Sequence, residues 1–365
     1  MTFKPTVRIA YPALRDIYRQ VACALGADDE EARIYAECFS RADLRHDTQG
    51  LPLWLEWALP LAEAGGAQFG RPLKIVRESP SGVVIDGAEG FGQIIAARTM
   101  DLVIEKAKKQ GVAIGLVSST TDMAMVGNYA MQALEHGCIG VAACTAGPAT
   151  VAPWGGRDPV FGTDPLAVAI PAGDGPPIVI DMCCAAYSIG TLVQAARLGR
   201  VDDRHVVTDR DGVYLNTPAA IVSDLTMREP PLTGAILPEG VRGMSLLLLV
   251  EVLAGLLSGN GASLDQIDWS NSAPPRVGAF FCAIDISKFA SLDNFEAKLR
   301  GFAEAVRAIA PAVGFEEVRL PGDRAAALAD AREKAGILVS EKHWALLQSL
   351  FRRYEIPVPA FSPVA

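Results

Sequence analysis

Apolar residues recur at helical spacing from Tyr11 to Leu25, with Leu14, Ile17, Tyr18, Val21 and Leu25 on one face. Asp28-Asp29-Glu30-Glu31 then opens a second predicted helix, its acids suited to the positive end of the helix dipole. That helix runs through Tyr35, Cys38 and Phe39 towards Leu44, and Leu51 to Ala64 forms a third, ended by Gly65-Gly66. The pattern next shortens to β-branched runs bounded by Pro or Gly, which predict strands at Leu73–Val76 and Gly82–Asp86. Gln93 to Gln110 returns to helical spacing, with Ile94, Ala97, Met100, Ile104 and Ala107 on one face and Gly111 as the stop. Further strands are predicted at Ala113–Val117, Ile139–Ala143, Leu166–Ile170, Ile178–Ile180 and Gly278–Ile284, with a helix from Met125 to His136 between the first two. Asn294–Ile309 and His343–Tyr354 read as closing helices. Helices, then mixed strands and helices, then helices again predict an α/β protein whose chain ends form a common helical part. The division expected is 1–72, 73–287 and 288–365, with the α/β core in the middle.

Charge and composition narrow the function. The formal charge is -9 and no run of Lys or Arg stands out, so there is no electrostatic case for a nucleic-acid partner. The longest apolar stretch, Leu246 to Leu257, falls short of the ~20 residues of a membrane span and is broken by Glu251. It is read as a buried helix, and no membrane partner is expected. The first residues lack the apolar core of a signal peptide. Seven scattered cysteines, at 23, 38, 138, 144, 183, 184 and 282, suggest reduced thiols in a cytoplasmic protein. The four histidines, at 46, 136, 205 and 343, show no ligand spacing, and no metal site is expected.

Four segments hold candidate chemistry. Gly87-Ala88-Glu89-Gly90-Phe91-Gly92 joins a strand to a helix, so a phosphate can meet the helix N-terminus there, or the segment is a plain turn. Val151 to Pro165, VAPWGGRDPVFGTDP, is a constrained loop that either brings backbone amides to a ligand or is purely structural. Arg319-Leu320-Pro321-Gly322-Asp323-Arg324 sets guanidiniums around a tight turn, as a phosphate clamp or as a solvated turn. Arg45-His46-Asp47-Thr48-Gln49-Gly50 gathers polar side chains between two apolar helices, either to move protons or as an exposed helix end.

In this order the segments resemble the malate/L-lactate dehydrogenase family, which includes ureidoglycolate, sulfolactate and Δ1-piperideine-2-carboxylate enzymes. The resemblance lies in Ala42-Asp43-Leu44-Arg45, GAEGFGQIIAARTMDLVIEKAKKQGV, VAPWGGRDPVFGTDPLAVAIPAGDGPP with VIDM after it, TDRDGVYLNTP, GMSLLLLVEVLAGLLSG and VRLPGDR, spanning residues 42 to 324. It implies a non-Rossmann fold with a mixed central sheet and flanking helices. It implies hydride transfer between NAD or NADP and a small 2-oxo/2-hydroxy acid or cyclic imino acid, in a homodimer with its site near the subunit interface. By the same resemblance, cofactor contacts fall on Ser119, Thr120, Thr121, Asp122 and Met123, on Gly162, Thr163 and Asp164, on Asp181 and Met182, on Arg242 and Gly243, and on Arg319, Gly322, Asp323 and Arg324.

The catalytic corner departs from the family's D-S-H-G-V-x-R. Here it reads Asp47-Thr48-Gln49-Gly50-Leu51-Pro52-Leu53, with one residue fewer after Arg45. Ser becomes Thr48, the proton-donating His becomes Gln49, and the substrate-carboxylate Arg becomes Leu53. The acid that orients the His in some members falls at Thr191. Carbonyl reduction builds negative charge on oxygen, and a general acid that relieves it is commonly worth ~10²–10⁴ in rate. Gln49 can polarise a carbonyl but cannot yield a proton at neutral pH. His46 is the natural substitute, and the alternative for it is a surface histidine at a helix end. Catalysis is thus assigned to His46, Thr48 and Gln49. The rival expectations are a weakened, dinucleotide-binding sensor or partner subunit, and an unrelated α/β binding protein.

Overall fold

The computed structural model describes residues 5–222, 232–266 and 276–364. Strand β1 (Pro5–Ile9) precedes α1 (Tyr11–Ala24) and α2 (Asp29–Arg45). Asp28 caps α2, its carboxylate accepting the Glu31 N–H at 2.8 Å. The next helical run is three pieces: α3 (Leu51–Leu53), a π-helical turn (Trp54–Ala58) and α4 (Leu59–Glu63). Pro60 accounts for the wide turn: it has no N–H for the Glu56 carbonyl, and its ring crowds that carbonyl. The Leu59 N–H reaches back to Trp54 instead.

The central layer follows. Strands β2 (Lys74–Ser79) and β3 (Gly82–Asp86) lead to α5 (Gly92–Gln110), β4 (Val112–Thr120), α6 (Gly127–Gln132), β5 (Cys138–Cys144), β6 (Leu166–Ile170) and β7 (Ile178–Met182). Helix α7 (Ile189–Arg197), the short strands β8 (Val207–Thr208), β9 (Tyr214–Leu215) and β10 (Ala235–Ile236), and α8 (Gly240–Val250) come next. A π-helical turn, Glu251–Leu256, extends α8. Strand β11 (Val277–Asp285) then enters the middle of the sheet, followed by α9 (Leu292–Arg307), α10 (Asp323–Ala335), β12 (Ile337–Ser340), α11 (Glu341–Arg353) and β13 (Phe361–Pro363).

The seven-stranded sheet has the order β2-β3-β4-β11-β5-β6-β7. Only β3–β4 is parallel; the other pairs run antiparallel, so the sheet is mixed. Helix α5 covers β4 and β11, and α6 covers β5 and β6. In this arrangement β3, β4, β5 and β7 end, and β6 and β11 begin, along a single edge. Loops gather at that edge, as they do at the ligand-binding edge of other α/β sheets.

The predicted sheet strands and the two N-terminal helices agree with the structure within a few residues. The segment from Met125 to His136 becomes helical only at Gly127 and ends as a 3-10 turn from Ala133 to His136. Leu246–Leu257 is a correction: it is helical, but Leu248, Leu249, Val252, Leu256 and Leu257 are exposed. Leu247, Val250, Glu251 and Ala254 form its one buried face. Strand β1 was not expected among the first residues; it pairs with β12 and β13, joining the two ends of the chain.

A buried charge cluster reinforces that junction. Glu56, turned inward by the π-helical turn, meets Arg197 of α7 at 2.6 Å, His343 of α11 at 2.8 Å and Lys342 at 3.0 Å. Burial alone would raise the Glu56 pKa, but hydrogen bonds from His343 and Arg197, with the nearby Lys342 charge, hold it at about 2. A carboxylate held below its unfolded value stabilises the fold above that value and stops doing so as pH falls through the folded one. The wild type is therefore expected to lose about 3 kcal/mol of stability from this group between about pH 5 and pH 2. Acid unfolding followed by circular dichroism should show Glu56→Gln destabilised at pH 7 and lacking that part of the pH dependence.

Candidate active site

Helix α2 delivers the polar corner to the sheet edge. Its C-cap, His46, has an extended backbone, yet its N–H still reaches the Ala42 carbonyl at 2.8 Å. The next turn is bolted to the helix by buried Asp43, which accepts the Leu51 N–H at 2.6 Å and the Tyr18 hydroxyl at 2.5 Å. Gly50 is required here, since a Cβ on it would lie 2.1 Å from the Asp43 carboxylate. Burial pushes the Asp43 pKa up to about 7, against those two hydrogen bonds and the Arg332 charge. Thr48 and Gln49 are thereby fixed beside His46.

The corner closes a cavity of about 360 Å³ at the sheet edge. His46, Thr48, Gln49, Leu53 and Trp57 line one side, and the start of α7, from Ser188 to Thr191, lines another. The end of β7, with Asp181 and Met182, the start of β11, and loops after β4, β5 and β7 and before β6, with Asp122, Gly147 and Thr163, supply the rest. His46 Nε2 stands 3.5 Å from the Asp181 carboxylate, at the end of β7. Gly127, at the start of α6, leaves room for that carboxylate: a Cβ there would lie 2.4 Å from Asp181 Oδ2. Half-buried Arg45 also feels Asp181; burial lowers its pKa while that carboxylate raises it. Asp122 is half-buried; desolvation raises its pKa, and the Ala124 N–H, donating at 2.8 Å, opposes the rise. Among the described lining residues there is no Lys or Arg.

Seven of the residues assigned to the site from sequence therefore line one cavity: His46, Thr48, Gln49, Asp122, Thr163, Asp181 and Met182. Others stand behind it. Ser119, Thr120 and Thr121 fasten the end of β4: the Ser119 N–H donates to Asn260, Thr120 donates to the Gly90 carbonyl, and Thr121 accepts the Gly92 N–H. Met123 is buried and its carbonyl accepts the Tyr129 hydroxyl. Asp164 is buried with φ +40, accepts the Ala146 N–H at 3.1 Å and packs on Gly162, stitching two cavity loops together. Burial and the neighbouring Glu251 carboxylate raise its pKa well above the usual range. Arg242 is exposed at the start of α8, and Gly243 packs against the Cys184 carbonyl.

The arginine turn lies apart from the cavity, along the edge of β7. Gly322 sits where a Cβ would meet Val179 backbone atoms at 2.9 Å and 3.0 Å, and Val179 donates to the Pro321 carbonyl. Asp323 is held by Arg307 at 2.7 and 2.9 Å, Arg319 pairs with Glu317, and Arg324 is exposed. The glycine segment 87–92 resolves as a packing turn: Gly92 is so close to the loop after β4 that a Cβ would lie 2.3 Å from the Thr121 carbonyl. Sequence reading missed the cavity's apolar surfaces, Trp57, Met125, Val126 and Ile189. Nothing in their spacing marks them, because three separate segments bring them together.

A family model for malate/L-lactate dehydrogenase matches residues 9–348. A malate dehydrogenase from Pyrococcus abyssi is 31% identical over 359 residues, covering 95% of each chain. A Delta(1)-pyrroline-2-carboxylate/Delta(1)-piperideine-2-carboxylate reductase from Pseudomonas syringae pv. tomato is 31% identical over 357 residues, covering 95% of this chain and 97% of that one. Among solved structures, malate dehydrogenase from Pyrococcus horikoshii OT3 matches with a TM-score of 0.85 at 27% identity, over 98% of both chains.

Proposed function

The chain belongs to the malate/L-lactate dehydrogenase family, and from that membership we propose an NAD- or NADP-dependent oxidoreductase in which His46, oriented by Asp181, replaces the family's proton donor. The reaction is hydride transfer to or from a small 2-oxo/2-hydroxy acid or cyclic imino acid, the classes named by its relatives. The observation that carries the reading is the meeting of His46 and Asp181 inside the cavity that also holds Gln49 and Thr163.

The cavity fits a nicotinamide with a small substrate. Leu53, Trp57, Met125, Val126 and Ile189 offer apolar surface, Thr48, Gln49 and Thr163 offer hydrogen bonds, and Gly147 brings backbone to the wall without a side chain. When bound, the cofactor supplies or accepts the hydride. The chain's own residues manage the proton. With Nε2 turned to Asp181, Nδ1 of His46 is the nitrogen left for substrate, and it gives its proton to the carbonyl oxygen or imine nitrogen as the adjacent carbon is reduced. Asp181, 3.5 Å from Nε2, holds the ring in that orientation. Gln49 donates a hydrogen bond to the same developing charge. The apolar surfaces exclude water and so strengthen both interactions. Thr163, Asp181 and Met182 belong to the nicotinamide end of the proposed cofactor site. The Ser119–Met123, Gly162–Asp164 and Arg242–Gly243 segments support it from behind, and Arg319–Arg324 is assigned to its outer reaches.

We also propose a cytoplasmic homodimer. Its seven cysteines are free, which fits a reducing compartment. Leu248, Leu249, Val252, Leu256 and Leu257 expose a contiguous helical apolar face of the kind that subunit interfaces cover. Sedimentation should give twice the 38.6 kDa chain mass, and Leu249→Glu with Leu256→Glu should reduce it to a monomer.

Purified protein should enhance NADH or NADPH fluorescence and turn over at least one member of a panel of pyruvate, oxaloacetate, sulfopyruvate and Δ1-piperideine-2-carboxylate. His46→Ala should cut kcat by about 10²–10⁴-fold while leaving nucleotide affinity within twofold. Binding of neither nucleotide would refute the family activity for this chain; unchanged turnover in His46→Ala would remove His46 from the chemistry. Nucleotide binding without turnover on any substrate would favour the sensor alternative.

A further inference from the structure

We infer that Arg332, on α10 and 286 residues from His46 in sequence, is the positioning residue that aims the proton donor. The inference rests on the reading of His46 above.

A helix ends with carbonyls that have no N–H of their own helix to accept, and those carbonyls carry the negative end of its dipole. Many helices meet this need with a glycine turn. Helix α2 ends instead in Arg45-His46-Asp47, in a corner one residue shorter than the family pattern. Arg332 supplies the missing cap from outside. Its Nη1 donates to the Asp43 carbonyl at 2.6 Å and to the His46 carbonyl at 2.8 Å, and its Nη2 donates to the Asp47 carboxylate. The guanidinium is largely buried, with 21% of the side chain exposed. One planar fork thus fixes three acceptors, a task a lysine ammonium cannot repeat in the same geometry. The clamp thus holds the His46 backbone from which the imidazole reaches Asp181.

Helix α10 is built as a strut for this contact. None of its residues is fully buried; Ala325, Ala326, Leu328 and Ala329 are half-buried on the face that carries Arg332, and Ala329 packs against the core. Polar and backbone contacts fix both ends. Asp323 is gripped by Arg307 at the start. At the finish Arg8 donates to the Ala335 and Gly336 carbonyls, and Gly336 packs so tightly on Ile9 that a Cβ would lie 2.7 Å from its carbonyl oxygen. Arg332 projects one turn before that anchored end.

The test compares Arg332→Ala, Arg332→Lys, His46→Ala and the Arg332→Ala/His46→Ala double variant, using the panel substrate that the wild type turns over best. Misplacing a reacting group by about 1 Å can cost about 10²-fold in rate. Arg332→Ala should therefore lose about 10²-fold in kcat, with KM and nucleotide affinity within about twofold. Arg332→Lys should lose less, and low, non-denaturing guanidinium should restore part of the Arg332→Ala rate. In the His46→Ala background the Arg332→Ala loss should nearly vanish, since coupled residues do not add. In the nucleotide-free protein, amide exchange over residues 46–51 should quicken about tenfold in Arg332→Ala and in Arg332→Lys, with the sheet unchanged. If His46→Ala is inactive but Arg332→Lys keeps wild-type kcat and wild-type exchange over 46–51, the clamp is wrong while the proton donor stands. Full additivity of the two alanine losses would overturn it as well. If His46→Ala keeps its turnover, the proton-donor reading fails first, and the inference falls with it.

Discussion

The contact between His46 and Asp181 joins two structures that fold for unrelated reasons. One is the end of an N-terminal helix, set by the capping of α2 and the buried Asp43 that fixes the following turn. The other is the end of β7, set by pairing in the central sheet. Neither side chain needs the other for its backbone to be where it is. Their approach therefore depends on how the N-terminal helices are seated against the sheet. That seating is secured at several places: the Glu56 cluster, the β1–β12–β13 sheet and the strut formed by α10. The chemistry proposed for the cavity needs all of them, because a proton donor displaced by a fraction of its reach loses most of its worth.

The altered corner is consistent with this dependence. A chain with histidine in the family's position would hold its donor within the turn that follows α2. Here glutamine occupies that position, and the histidine has moved to the helix cap. A cap residue has its backbone committed to the helix end, so its direction is governed by whatever satisfies the end carbonyls. Under the proposed reading, a donor at the cap therefore depends on distant residues of the C-terminal part. Leu53 contributes an apolar wall where the family pattern has an arginine, and among the described lining residues the titratable side chains beside it include Asp122, Asp181 and His46.

Most of the fold could be read from the sequence because its elements are strongly periodic and locally punctuated. Leu166–Ile170 was located to the residue, since alternation, β-branching and flanking prolines agree there. The elements that escaped notice lack such agreement. Strand β1 is a few residues whose partners lie at the far end of the chain. Helix α10 is half-buried at best, and its inward face is mostly alanine, which makes a weak apolar stripe. The apolar run at Leu246–Leu257 misled, because periodicity reports that a surface is apolar and not whether the same chain covers it. At the site, the motif residues were legible, and seven of those assigned to the site line one cavity. Asp181 was legible as a motif residue but not as the partner of His46, and Arg332 left no mark, because a hydrogen bond spanning most of the chain has no local signature. The arginine turn was legible as chemistry but lies along β7, away from the cavity.

The central claim is that His46 stands where the substrate's reacting atom receives its proton. A crystal structure with the reduced nicotinamide nucleotide and a non-reducible analogue of the active substrate tests it most directly. The expected result is the nicotinamide in the cavity at the sheet edge, with the His46 imidazole hydrogen-bonded to the analogue's oxygen or nitrogen and still facing Asp181. A nucleotide seated elsewhere, or an analogue contacted by Gln49 while His46 points to solvent, would contradict it.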